Sequence, residues 1–166
     1  MQAVNLTQNL TIVAKIIETV AVFLGWLLFF VSIYKFKRYG EMRTMMSMHM
    51  NIMGPVSVLV ASALLLLFPQ FVSTLVVTVW GVGNQNPLPY RGPTDDWGMF
   101  IKPVLMFLRI LGIISIIRGV ILLSRLGESQ SQPGQGGKAA MHLVGGLLSV
   151  HIMYTIELLK NIFGLV

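Results

Sequence analysis

The sequence predicts an all-α, polytopic membrane protein with four transmembrane helices, arranged as two tandem helical hairpins. Three observations lead there. The chain of 166 residues is 55% hydrophobic and only 11% charged, with a mean hydropathy of +0.77, whereas a soluble domain carries roughly 25% charged residues. Four apolar stretches interrupt the charged positions. Sequence features also recur at a fixed offset between the two halves. The charge shortage excludes a free soluble enzyme or a disordered tail, and the absence of Cys excludes a disulfide-built module. The formal charge of +6 comes from 12 Lys+Arg against 6 Asp+Glu. No block of Lys and Arg forms a nucleic-acid surface, so the bilayer is the expected partner and no direct nucleic-acid readout is expected.

The first span is expected at about residues 16–34, where Thr19 to Tyr34 carries no charge. About 20 apolar residues at 1.5 Å each cross a bilayer core of about 30 Å. The first twelve residues contain no Lys or Arg, which argues against a removable signal. Asn5-Leu6-Thr7 and Asn9-Leu10-Thr11 match the glycosylation sequon, but read better as residues that cap or precede the first helix. The second apolar stretch, Ile52 to Val82, would be about 46 Å long as one helix. Pro69 can end or kink it. The expectation is a crossing over 52–68 and an emergent or interfacial extension over 70–82, ending near Trp80. A Pro-rich loop follows at 83–99, and the second hairpin occupies 100–166, with spans at about 103–123 and 139–158.

Basic residues set the orientation. Lys35, Lys37, Arg38 and Arg43 outweigh Glu41 after span one, and Arg125 and Lys138 outweigh Glu128 after span three. These loops are expected in the cytoplasm, which puts both termini outside (N-out/C-out).

The repeat links the two hairpins. Leu24-Gly25 and Leu111-Gly112 are offset by 87 residues, as are Arg38-Tyr39-Gly40-Glu41 and Arg125-Leu126-Gly127-Glu128. A His, a Gly and a Ser-Val pair follow each turn: His49, Gly54 and Ser57-Val58, then His142, Gly145 and Ser149-Val150. Each half reads as apolar helix, basic turn, apolar helix, a parallel repeat of the kind found in transporters. Gly40 and Gly127 are expected to end helices in the left-handed conformation. Arg38 and Arg125 suit a helix C-terminus and anionic lipid headgroups.

The residues that can carry chemistry are few. Arg109 and Arg118 lie inside an apolar helix, where a charge costs at least about 2.5 kcal/mol. Nine residues apart, they fall on opposite faces. Arg118 is near enough to the cytoplasmic end to snorkel. Arg109 has three readings: a structural bond to neighbouring carbonyls, a polar pore lining, or a contact with a lipid phosphate. Gly145 and Ser149 form a small-xxx-small pair beside His142 and Gly146, suited either to packing within a subunit or to an oligomer interface. Met42, Met46, His49 and Met53 share one helical stripe; such ligands suit Cu(I), but methionine also fills irregular gaps, and packing is the preferred reading. Gly134-Gln135-Gly136-Gly137-Lys138 fails as a phosphate loop, because Gln132 and Ala139 occupy the positions of the motif's Gly and Ser/Thr. Glu128 to Gly137 is expected to be a flexible polar loop. No catalytic triad, metal site or resident cofactor is expected, a bound phospholipid excepted.

Phe107-Leu108-Arg109-Ile110-Leu111-Gly112, Ile117-Arg118-Gly119, Gly137-Lys138, His142 and Gly145-Gly146 resemble the IcmC/DotE and DotV family. These are small inner-membrane components of the type IVB (Dot/Icm) secretion apparatus. The resemblance covers about residues 100–156 and more loosely the first hairpin. It implies a non-enzymatic structural subunit in the bacterial inner membrane, part of a channel that exports effectors or DNA–protein complexes. Its partners would be other secretion subunits, itself or paralogues in a ring, and phospholipid. On that resemblance Arg109, Arg118, Gly119, Gly145 and Gly146 hold subunit contacts or line the conduit. The hairpins also resemble a conjugative pilin subunit. Two rivals are a stand-alone oligomeric channel or transporter and a metal-handling membrane protein.

Overall fold

The computed structural model describes residues 2–44, 52–81, 96–126 and 134–164. Among the described residues all regular structure is helical: α1 (Gln2–Thr44), α2 (Met53–Leu66), α3 (Phe68–Trp80), α4 (Asp96–Ser124), α5 (Gln135–Val150) and α6 (Ile152–Phe163). Leu6–Met42 within α1 and Ile101–Ser124 within α4 are each long and apolar enough to cross a membrane. The other helices are too short alone, at about 18–24 Å against a core of about 30 Å. They form two bent pairs, α2–α3 at 85° and α5–α6 at 96°, so among the described residues two helices are long and apolar enough to cross a membrane, or up to four if each pair is one broken span.

The first helix is longer than expected at both ends. Asn5, Thr7, Asn9 and Thr11 lie inside α1 rather than capping it, and Thr11 Oγ1 donates to Thr7 O at 2.9 Å. That back-bond to the i−4 carbonyl lets a Thr sit within a helix. Gly40 does not end the helix either. The expected left-handed stop is absent there, and α1 continues to Thr44. The Lys37 Nζ to Glu41 Oε1 ion pair, 3.6 Å long at i, i+4, bridges the glycine along the exposed face. Gly127 lies outside the described residues.

The second apolar stretch breaks near the expected proline. Leu67 leaves the helical conformation at φ −94° and ψ 21°, and its N–H still reaches Ala63 O at 3.0 Å. Pro69 falls in the first turn of α3, where a missing N–H costs nothing. Within α3, Thr78 and Ser73 hydroxyls bond back to Thr74 O and Gln70 O. α3 ends at Trp80, where Gly81 at φ +67° donates its N–H to Val77 O.

Residues 96–99, expected in the loop at 83–99, are helical, because α4 starts at Asp96, a residue type favoured at the positive end of a helix dipole; residues 83–95 lie outside the described residues. Residues 135–137, expected in a flexible loop, are helical. Gly134 at φ +84° turns the chain into α5 and accepts the Lys138 N–H at 3.1 Å. The largest correction concerns the fourth apolar stretch. It is not one helix over 139–158 but breaks at His151, whose φ of −122° and ψ of 53° leave the helical region. Neither Pro nor Gly occupies that position. Thr155 makes the break tolerable: its Oγ1 lies 2.9 Å from Leu148 O and 3.1 Å from His151 O, supplying a donor where the ladder has lost one. Thr155→Val keeps the shape and removes that donor. It should destabilise the fold by about 1–2 kcal/mol, the cost of a buried carbonyl left unpaired, in a denaturation titration of the micelle-embedded chain.

The helices contribute to two compact units. One comprises Met1–Glu18, Pro69–Ile116 and Val144–Val166; the other comprises Thr19–Phe68 and Ile117–Leu143. In the second unit, Ala21, Val58, Ala61, Leu65, Phe68, Ile117, Val120 and Ala139 are buried. Gly25 of α1 lies against α2: a Cβ there would sit 2.7 Å from Leu66 N. Two hydroxyls tie the unit together. Ser32 Oγ donates to Pro55 O at 3.3 Å, and Ser57 Oγ lies within 2.9 Å of Gly54 O and 3.1 Å of Ser124 O. In the first unit, Leu105, Met106, Ile110, Ile113, Ile116 and Val150 form the apolar core. There α4 and α5 approach through Gly112 and Gly146; a Cβ on Gly112 would sit 2.7 Å from Gly146 O. Both glycines of the Leu-Gly repeat thus occupy close helix crossings.

Candidate functional site: a polar cluster around Arg109 and His151

Three of the four buried side-chain polar atoms that lack a hydrogen-bond partner among the described residues lie in the first unit. Arg109 projects from the middle of α4 and is half-buried. Its Nε is buried and has no hydrogen-bond partner. Arg109 interacts electrostatically with the Glu18 carboxylate of α1 and with His151. His151 occupies the α5–α6 break and is only 9% exposed. Its ring sits between two aromatics, with centroids 5.7 Å from Trp80 and 5.9 Å from Tyr154. The Nδ1 of His151 and the Nε1 of Trp80 are also buried and unpartnered. A buried polar atom without a partner costs about 1–3 kcal/mol, so three in one neighbourhood need an explanation.

Local sequence explains the placement. Gly81 stops α3 just after Trp80 and holds the indole at a helix end. The α5–α6 break turns His151 inward, and Thr155 secures that break. Arg109 reaches the cluster because α4 presents the Leu105–Met106–Ile110–Ile113 face to the same core, one to four residues from Arg109 along the helix.

The other residues singled out by sequence divide between the two units. Arg118 is exposed, as expected for the face opposite Arg109. Gly119 lies against Leu143, with a Cβ position 2.9 Å from Leu143 Cγ. Gly146 is buried at the α4–α5 crossing, whereas Gly145 beside it has open space where a Cβ would be. Ser149 is half-buried. Arg38 and Arg125 are exposed, and Arg125 closes α4 through its N–H to Leu122 O at 3.2 Å. The methionine stripe does not share one helix: Met42 lies in the last turn of α1 and Met53 opens α2, while Met46 and His49 lie outside the described residues. No group of three or more His, Asp or Glu that could hold a metal occurs among the described residues.

Sequence reasoning identified Arg109 but missed its neighbours. Trp80 marks only the end of the interfacial extension, and no spacing in the sequence ties Glu18 or His151 to Arg109. The available signal was His151 itself, since an ionisable residue inside an apolar segment is a functional candidate by default.

Residues 8–135 match the family described as SIS3, N-terminal domain, well over half of the 166-residue chain. The chain belongs to that family. The SIS3 N-terminal domain match contains Glu18, Trp80 and Arg109 and stops at the start of α5, ahead of His151. Comparisons with curated proteins and with solved structures find no match.

Proposed function

We propose that this chain is a non-enzymatic structural subunit of a membrane assembly. Its glycines allow close helix crossings inside the chain and leave long apolar faces outside for lipid and neighbouring subunits. The observation that carries this reading is the division of labour between Gly146 and Gly145. One is consumed by the α4–α5 crossing; the other lies on an outward face with Met141, 77% exposed, and Val144, 58% exposed. Exposed Phe23, Trp26 and Phe30 give α1 a similar outer face. The resemblance to the IcmC/DotE and DotV family points to the type IVB secretion channel of the bacterial inner membrane as the assembly. That proposal includes four spans with both termini outside, two tandem pilin-like hairpins, and neighbours that are secretion subunits, paralogues or copies of this chain.

A second reading, a stand-alone oligomeric channel or transporter, is favoured by the two broken helix pairs. Transport sites are often built where helices break within the membrane, and Arg109 lies in electrostatic reach of the His151 break. Gentle extraction of the native protein, followed by mass and composition of what copurifies, separates the two. A large assembly with secretion subunits is expected. A homo-oligomer that conducts in a planar bilayer would establish the second reading, and a non-conducting monomer would overturn both.

A further inference from the structure

Trp80, Arg109 and His151 each bring a buried, unpartnered nitrogen to the first unit. Trp80 Nε1 and Arg109 Nε are obligate donors. The guanidinium adds a permanent charge in a geometry that matches oxyanions. His151 precedes the first turn of α6, whose dipole favours negative charge. Two of the three nitrogens therefore need an acceptor, while His151 Nδ1 donates or accepts according to its tautomer. Among the described residues, Glu18 is the acid whose charge acts on Arg109, and it leaves the Arg109 Nε without a bond. The unit's surface nearby is apolar: Val77 and Val79 precede Trp80 on α3, and Phe107 precedes Arg109 on α4, all exposed. A charged acceptor bounded by exposed apolar side chains describes the headgroup region of a lipid.

We propose that Trp80, Arg109 and His151 form a binding site for a phosphate group at the α5–α6 break, with Arg109 supplying the charge and Trp80 a neutral donor. The site does not depend on the scaffold reading, because a channel or a scaffold subunit can carry it equally. A lipid phosphodiester and free inorganic phosphate present the same acceptor oxygens, and the apolar surroundings favour the lipid. Glu18 opposes the bound anion through like charge and therefore tunes its affinity.

The test uses the full chain, delipidated in dodecyl maltoside, with Trp26→Phe and Trp97→Phe so that Trp80 alone reports. Dioleoyl phosphatidylglycerol should move the Trp80 indole N–H resonance downfield in a saturable manner, while phosphate-free dioleoylglycerol should not. The same saturable shift with inorganic phosphate would identify the free ion as the source and sustain the site. No shift with either phosphate, or an equal shift with dioleoylglycerol, overturns it. With binding followed by native mass spectrometry, Arg109→Gln should weaken phosphatidylglycerol binding about tenfold or more and Trp80→Phe about fivefold. Glu18→Gln should tighten binding, which a merely structural carboxylate would not do. If Arg109→Gln fails to fold, unchanged binding in Trp80→Phe and Glu18→Gln still overturns the proposal.

Discussion

Gly146→Ala should destabilise the protein by about 3 kcal/mol, the upper end of the usual cost of overpacking, while Gly145→Ala should not destabilise it at all. The two positions are adjacent on α5, and successive helical residues point about 100° apart. A Cβ on Gly146 would sit 2.8 Å from Gly112 O and 2.9 Å from Ile116 N. Both are backbone atoms of α4 and cannot rotate away, so the helices must separate and give up the contacts of Ile113, Ile116 and Val150, all buried. At Gly145 nothing lies within 4 Å, and Ala is the better helix former by about 1 kcal/mol. Titrating each full-length variant from mild detergent into dodecyl sulfate, with helix loss as the readout, measures the difference. Equal midpoints for the two variants would mean that the α4–α5 crossing is not set by this glycine. Gly112→Ala should reproduce the Gly146 effect, since a Cβ there meets Gly146 O at 2.7 Å and Val150 N at 2.8 Å.

Replacing Arg109 with Leu should favour membrane insertion of the α4 segment by about 3 kcal/mol. Arg at a helix centre costs about 2.5–3.5 kcal/mol on insertion scales and Leu returns about 0.5. Arg118→Leu should give a smaller gain, because Arg118 is exposed and lies six residues from Ser124 at the helix end, within reach of the interface. An insertion assay on a reporter carrying residues 96–124 and its two variants reads both values. Equal gains at the two positions would show that depth along α4 does not distinguish the arginines. A chain that retains Arg109 against such a gradient keeps it for an interaction worth more than the insertion penalty. In the folded protein the guanidinium lies in the field of Glu18 and close enough to act on His151, and its Nε still has a free donor.

Much of the fold was legible from sequence because membrane solvation acts on composition directly. The four apolar stretches all became helices, and the α2–α3 break came within two residues of Pro69, because a proline's missing N–H is a local property. The Leu-Gly repeat pointed to Gly25 and Gly112, which both lie at close crossings. Other positions failed for reasons that are also physical. Gly40 permits a left-handed stop but does not compel one, and the flanking Lys37 and Glu41 pair across it instead. His151 marks a break that no local propensity announces, since it depends on a Thr hydroxyl four residues further on reaching Leu148 O. The Met42 and Met53 stripe assumed a continuous helix where α1 ends at Thr44.

The polar cluster divides in the same way. Arg109 could be found by its charge in an apolar run, because that cost is paid by the residue alone. Its partners could not. Glu18, Trp80 and His151 are separated from it by 91, 29 and 42 positions in the sequence, and although His151 stands out as an ionisable residue in an apolar stretch, nothing local joins any of them to Arg109. Composition by itself determined that this chain is built of apolar helices suited to a bilayer, and glycine spacing indicated where helices would approach closely. Only the tertiary structure decided which glycine is consumed, where the fourth apolar stretch breaks, and which buried nitrogens meet. Helix formation in an apolar medium is enforced residue by residue through backbone hydrogen bonding, whereas the burial of a particular side chain depends on which distant helix lies against it.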